Sequence, residues 1–342
     1  MIRSPERNEN LRGPRSAGLW SRKGAFRRAQ AGRAPRPWRR IPWIGLVASL
    51  ALAPLRAADS PELAAQSLLL DAQVVGHKVV AVGAYGHILL SADDGRTWEL
   101  AVVPTQATLT AVHFPDARHG WAVGHDAQVL ASADGGRTWT RQYQGSDLDA
   151  PLLSVLFLDP ETGFAVGAYG QFLSTADGGN TWTARRIIDQ DRHFNRITVG
   201  PAGVLYIAGE QGTLLRSMDR GATWQPIPSP YTGSFYGILP LSADTLLAYG
   251  LRGRIYRSED NGARWQLVPV GPQVLLATAV RLPDGVIVMT GAARTFLVSR
   301  DGGRTFAPWD APLTTPVAEL VATADGRLLA FGEAGVTPLP AP

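Results

Sequence analysis

The sequence predicts an all-β protein, a seven-bladed β-propeller. Three observations predict it. An eight-residue phrase recurs six times: "SADDGRTW" at 91–98, "SADGGRTW" at 132–139, "TADGGNTW" at 175–182, "SMDRGATW" at 217–224, "SEDNGARW" at 258–265 and "SRDGGRTF" at 299–306. Its last aromatic falls at Trp98, Trp139, Trp182, Trp224, Trp265 and Phe306, so the repeat is 41 to 43 residues long. That period is one four-stranded sheet per repeat. Between phrases the pattern is short apolar strands broken by glycine turns, as in "HGWAVGHDAQVLASAD" (119–134), and no stretch beyond residue 66 has a helical period.

The chain has 342 residues, 37 Gly, 25 Pro, 10 Trp and no Cys. The length supports a large core, and the Gly and Pro content suits many tight turns. Without cysteine the fold holds no disulfide, thiolate metal site or cysteine nucleophile. The formal charge of +4 misleads. Residues 1–57 hold 13 of the 33 basic residues and two of the 29 acidic ones, Glu6 and Glu9, so 58–342 carries 20 basic against 27 acidic residues, a net of −7. Basicity therefore gives no argument for nucleic acid, and no nucleic-acid motif is present.

Taken in order, residues 1–40 are an Arg-rich leader, unusually long for a signal and consistent with a start codon placed upstream of the true one. Residues 41–57 hold the apolar run "IPWIGLVASLALAPL" (41–55), short for a membrane span and flanked as a secretory signal is. Cleavage is expected after Ala57 or Ala58. The expected location is outside the cytoplasmic membrane, in a periplasm or beyond; the alternative is a chain anchored by 41–57. Arg39-Arg40 gives a weaker twin-arginine reading, because Pro42 replaces the usual apolar residue.

The propeller is expected over 58–342. Six phrases mark six blades. "VAELVATADGRLLAFGEAG" (317–335) opens a seventh with two strands. Its missing outer strand is expected from residues around Ser60–Ser67, so that the N-terminal segment closes the ring and removes exposed strand edges. Six blades and a tail is the alternative.

Each phrase reads as a hairpin clamp. The aspartate accepts backbone N–H bonds, the following glycine supplies positive φ, and the aromatic wedges between blades. The structural positions are Asp93, Gly95, Trp98; Asp134, Gly136, Trp139; Asp177, Gly179, Trp182; Asp219, Gly221, Trp224; Asp260, Gly262, Trp265; and Asp301, Gly303, Phe306. One short carboxylate per turn is a poor cation cage, so no metal is expected there. The histidines, His77, His87, His113, His119, His125 and His193, show no ligand spacing, and no cofactor is implied.

The phrase resembles the Asp-box, or bacterial neuraminidase repeat. The linked pieces "GWAVGHDAQVLASADGGRTWT" and "GFAVGAYGQFLSTADGGNTWT" further resemble the photosystem II stability/assembly factor family. That resemblance spans roughly residues 67–342. It implies an exported, non-enzymatic seven-bladed propeller with an assembly or stability role, and an arginine-rich patch on one face.

The turns between second and third strands carry the variable residues: "GAYG" (83–86), "GHDA" (124–127), "GAYG" (167–170), "GEQG" (209–212), "GLRG" (250–253), "GAAR" (291–294) and "GEAG" (332–335). A fixed scaffold with variable tips is where partner choice is encoded. The candidate partner-binding residues are Tyr85 and Tyr169, the basic set Arg252, Arg254 and Arg294, and Arg185, Arg186, Arg192 and Arg196 in the charged connection "TARRIIDQDRHFNRI" (183–197). The rival reading for the connection is solvated charges paired with Asp189 and Asp191. The expected partner is a protein, either a membrane protein's soluble segment or an envelope complex. A monomer is expected, with peripheral membrane association left open.

The alternative is a glycoside hydrolase, sialidase-like, with a carboxylate pair drawn from Asp126, Glu210 and Glu333. "RRIP" (39–42) matches the arginine motif of such enzymes but abuts the apolar run and reads as coincidence.

Overall fold

The computed structural model describes residues 60–342. The leader and the apolar run 41–57 lie outside the described residues.

Seven antiparallel sheets form a ring, each with its first strand at the central channel. Blade 2 is typical: Leu109–His113 innermost, then Gly120–Gly124, Gln128–Ser132 and the outer strand Thr140–Gln144. The second strands are buried along their whole length because both faces pack on a neighbouring blade, which is why they read as unbroken apolar runs. Seven apolar clusters fill the seven seams, and the one joining Phe331 and Leu329 of blade 7 to Leu69 and Val79 of blade 1 closes the ring. Among the described residues no helix is long and apolar enough to cross a membrane.

Six sheets have four strands and blade 7 has three, Val317–Ala322, Leu328–Gly332 and Gly335–Leu339. This corrects the expected strand at Ser60–Ser67. Ser60 caps a helical turn, Pro61–Ala64, by accepting from the Leu63 N–H at 3.3 Å, and Pro61 stands at the first helical position, where its missing N–H costs nothing. The ring still closes through the N-terminal segment. Ala64 is buried in the last seam, and the Val336 N–H donates to the Ala65 carbonyl at 2.8 Å. The exposed edge of blade 7 carries Pro338, which has no N–H to offer another strand.

The repeated phrase lies between third and outer strands. In blade 2 the Ser132 hydroxyl donates to Asp134 Oδ1 at 2.8 Å and accepts from the Gly136 N–H at 2.9 Å. Asp134 also accepts from the Thr138 N–H at 3.0 Å and the Thr138 hydroxyl at 2.7 Å. These Thr138 bonds hold the carboxyl down at about 2. Trp139 is buried, donates Nε1–H to the Gly136 carbonyl at 2.8 Å and meets Phe114 edge-on at 5.9 Å.

The box has a second structural task. A long side chain from the preceding blade donates to a carbonyl inside it: Lys78 to Gly135 at 3.0 Å, Gln142 to Gly178 at 3.0 Å, Arg185 to Gly221, Arg216 to Asn261 at 3.1 Å, Arg257 to Gly302 at 3.0 Å and Arg327 to Asp94 at 2.5 Å. Every box therefore receives one tie across its seam.

The first glycine of each turn opposite the boxes is dictated by a close approach. A Cβ on Gly167 would lie 2.3 Å from the Pro151 carbonyl oxygen, which the next N–H, that of Ala168, binds at 2.9 Å. The same contact recurs at Gly83, Gly124, Gly209, Gly250, Gly291 and Gly332. The obstacle is backbone, which cannot swing aside. Gly167→Ala is expected to cost about 2 kcal/mol by overpacking, read as a lower denaturant midpoint with an unchanged m value; a variant as stable as the parent would contradict the contact.

Candidate partner-binding face and central channel

The second-to-third-strand turns share one face. In six of the seven, a residue other than glycine holds the left-handed conformation at the third position: Tyr85 (φ 59°), Asp126 (59°), Tyr169 (55°), Gln211 (51°), Arg252 (58°) and Ala293 (53°). Such backbone costs an L residue roughly 1 kcal/mol, and it directs the side chain outward. Tyr85 is 70% exposed and Tyr169 56%. Arg252 and Arg294 are exposed on neighbouring turns, and Arg294 is itself left-handed at 58°. Arg254 is half-buried, and its Nε has no hydrogen-bond partner.

The structure separates the other four arginines. Arg185 stacks over Phe172, 4.9 Å from the ring centroid, and is spent on the carbonyls of Gly221 and Ala222. Arg186 bonds Asp191 and the Asp189 carbonyl, each at 2.8 Å, which is the solvated pairing the connection's acids anticipate. Arg192 reaches the Gln211 carbonyl and the Thr213 hydroxyl at 3.4 Å. Arg196 points into the channel and pairs with Glu319 at 2.5 Å. A 420 Å³ cavity opens beside Tyr169, lined also by Tyr143, Phe172, Arg185 and Arg186. Tyr169 meets His193 edge-on at 4.9 Å, and His193 lies 3.6 Å from Glu210.

The channel contains residues that the sequence reading missed. Each inner strand has a bulge after its first residue. The residue after the bulge is Asp71, Ala111, Ser154, Arg196, Gly237, Thr278 or Glu319 in blades 1 to 7. A bulge re-aims a side chain, and these form one layer across the channel. The Glu319 carboxylate, 5% exposed, accepts from Arg196, from the Thr278 hydroxyl and from the Leu320 N–H at 3.0 Å. Asp71 accepts from the Val112 N–H at 2.8 Å and lines one cavity with Arg196 and Glu319. Burial, and then the charge of Glu319, push the Asp71 carboxyl up to about 8. Towards the boxes, His113 accepts from the Phe157 N–H at 3.2 Å, and burial pushes its imidazole down to about 4. The signal was in the repeat: seven positions 40 to 43 residues apart, charged in three blades and small in four.

Among the described residues, no three His, Asp or Glu side chains gather where they could hold one metal ion.

A sequence model of the family described as photosynthesis system II assembly factor YCF48 matches residues 90–150 and 141–285, more than half of the chain. The chain belongs to this family. Solved structures agree on the fold of this assembly-factor propeller. "YCF48 bound to D1 peptide" is 19% identical with a TM-score of 0.67, over 81% of this chain and 92% of that one. YCF48 from Cyanidioschyzon merolae is 18% identical with a TM-score of 0.66, over 80% and 95%. The GH74 xyloglucanase from Xanthomonas campestris is 14% identical with a TM-score of 0.66, over 81% of this chain and 52% of that one. No curated protein matches the sequence. In this YCF48-like chain the arginine set of the turn face comes down to Arg252, Arg254 and Arg294, because the other four are engaged within the fold.

Proposed function

We propose that this protein is an exported, non-enzymatic member of the assembly-factor family that holds a protein segment of an envelope or membrane complex against its turn face. The observation that carries the reading is the set of left-handed turn tips. They spend backbone strain to present Tyr85, Tyr169 and Arg252 from a rigid ring, and eight of the twelve left-handed residues other than glycine, among the described residues, lie on these turns. Aromatic and arginine side chains are the residues that dominate protein interfaces. The likeness to a propeller described with a bound D1 peptide supports a peptide-binding role.

Export is proposed from residues 41–57.

The test is partner capture by the full chain from solubilised envelope, compared with Arg252→Glu/Arg254→Glu/Arg294→Glu. Expected is loss of the partner by at least about tenfold, as removal of paired interface charges brings. Retention of the same partner at the same affinity would remove the arginines from the interface. Turnover of a glycoside panel, lost on replacing Asp126, Glu210 or Glu333, would favour the enzyme instead.

A further inference from the structure

The chain is continuous across six seams and not across the seventh. Blades 7 and 1 meet only through non-covalent contacts, and blade 7 has no outer strand. That seam carries polar ties at both ends. At the box end, Arg327 bonds the Asp94 carbonyl at 2.5 Å, Arg96 bonds Asp325 at 2.6 Å, and the Asp94 carboxylate takes the Ala324 N–H at 3.3 Å. At the channel end stand Asp71 of blade 1 and Glu319 of blade 7, with Arg196 reaching Glu319 from blade 4.

We propose that the Asp71–Glu319–Arg196 crossbar is a proton-controlled lock on the closure between blades 7 and 1. The layer gives the geometry. Ala111 and Ser154, at the equivalent positions, line one cavity with Asp71, Arg196 and Glu319, and Gly237 at the next position has no side chain. Gly237 also admits Tyr249, whose hydroxyl lies 2.2 Å from where a Cβ would stand. Glu319 Oε1 takes the Thr278 hydroxyl and the Leu320 N–H, and Oε2 takes Arg196 with room for a second donor. Asp71 has one oxygen on the Val112 N–H and shares a cavity with Glu319, where a proton held between the two carboxyl groups relieves their repulsion. With that proton, Asp71 donates across the seam and the layer is neutral: one carboxylate against one guanidinium. Without it, two carboxylates face one guanidinium, and the repulsion falls across the seam.

No neighbour offsets the change. His113, on the inner strand of blade 2, stays neutral, since burial holds it near 4. Burial pushes Tyr249 up to about 12, so it stays neutral too. Arg196 is charged throughout: burial opposes its charge, but the Glu319 carboxylate paired with it outweighs burial. At the turn-face mouth, a 330 Å³ cavity, the remaining titratable groups are Tyr236 and Glu333, and neither supplies a positive charge.

The test is hydrogen exchange on the full chain, corrected for intrinsic rate, across the alkaline range. Expected is a loss of protection of about tenfold in segments 69–75 and 317–322 between about pH 7 and pH 9, with the blade 3 segment 152–157 little changed. In Asp71→Asn the seam-selective loss disappears. Parallel loss in all blades, or a seam-selective loss unchanged in Asp71→Asn, overturns the lock. An infrared titration of the wild-type chain gives a second, fold-independent reading. A protonated carboxyl band present at neutral pH and lost near pH 8 supports the lock, and its absence at neutral pH overturns it.

Discussion

Replacing Arg196 with methionine is expected to destabilise the propeller by about 3 to 5 kcal/mol, the effect of stranding a buried charge whose partner has been removed. Glu319 is 5% exposed, and its carboxylate would lose its positive partner and keep only neutral donors such as the Thr278 hydroxyl and the Leu320 N–H. For a domain of this size the loss corresponds to a fall in Tm on the order of 10 °C. The double variant Arg196→Met/Glu319→Gln should recover at least half of it, because a neutral amide in the same place needs no counter-charge. Thermal unfolding of the two variants side by side checks this. A single variant that melts with the parent would mean that Arg196 is a solvated charge, as its place in the connection 183–197 suggests from sequence.

That contrast shows where sequence reading succeeds and where it stops. The box, the blade count and the glycine turns were legible because each is decided by residues within one repeat. Ser132, Asp134, Gly136 and Thr138 bond one another across six positions. The crossbar was not legible from local pattern, since Asp71, Arg196 and Glu319 meet only once the ring closes. The same holds for Arg185. On sequence it is one more charge in a basic run; in the fold its guanidinium is taken by a carbonyl of the next blade's box. The last blade was misread for a different reason. Residues 317–335 read as two strands, and a third, Gly335–Leu339, follows them with Pro338 on an edge that nothing needs to pair with. The helical turn at Pro61–Ala64 follows a Ser-Pro pair that is itself a helix-start signal, outweighed in the sequence reading by the demand for a seventh outer strand.

The stability of the propeller should be greatest in a plateau between about pH 4 and pH 6.5, bounded by opposing groups. On the acid side stand the box aspartates. Bonds from Thr138 and Thr223 hold Asp134 and Asp219 at about 2, and Asp93, Asp177 and Asp260 are also held below the usual carboxylate range by bonds donated within their boxes. A carboxylate depressed in the fold stabilises it above about pH 4, and that contribution is lost as the pH falls through the folded value. Acid unfolding should therefore be steep, because several equivalent boxes lose the same term together. Asp71 acts in the other direction. Raised to about 8 by burial and Glu319, it keeps in the fold a proton that the unfolded chain releases near 4, so it lowers stability as pH rises from about 4 to about 8. His113, pushed down to about 4 by burial, raises stability between about 4 and 6.5, where only the unfolded chain is protonated. The two nearly cancel up to about 6.5. Above that Asp71 acts alone, at about 1.4 kcal/mol per pH unit. Urea unfolding at a series of pH values should show this plateau and a fall from about pH 6.5 to pH 8. Asp71→Asn should abolish the fall, and His113→Gln should extend it down to about pH 4. A fall that survives in Asp71→Asn would assign the proton to another group.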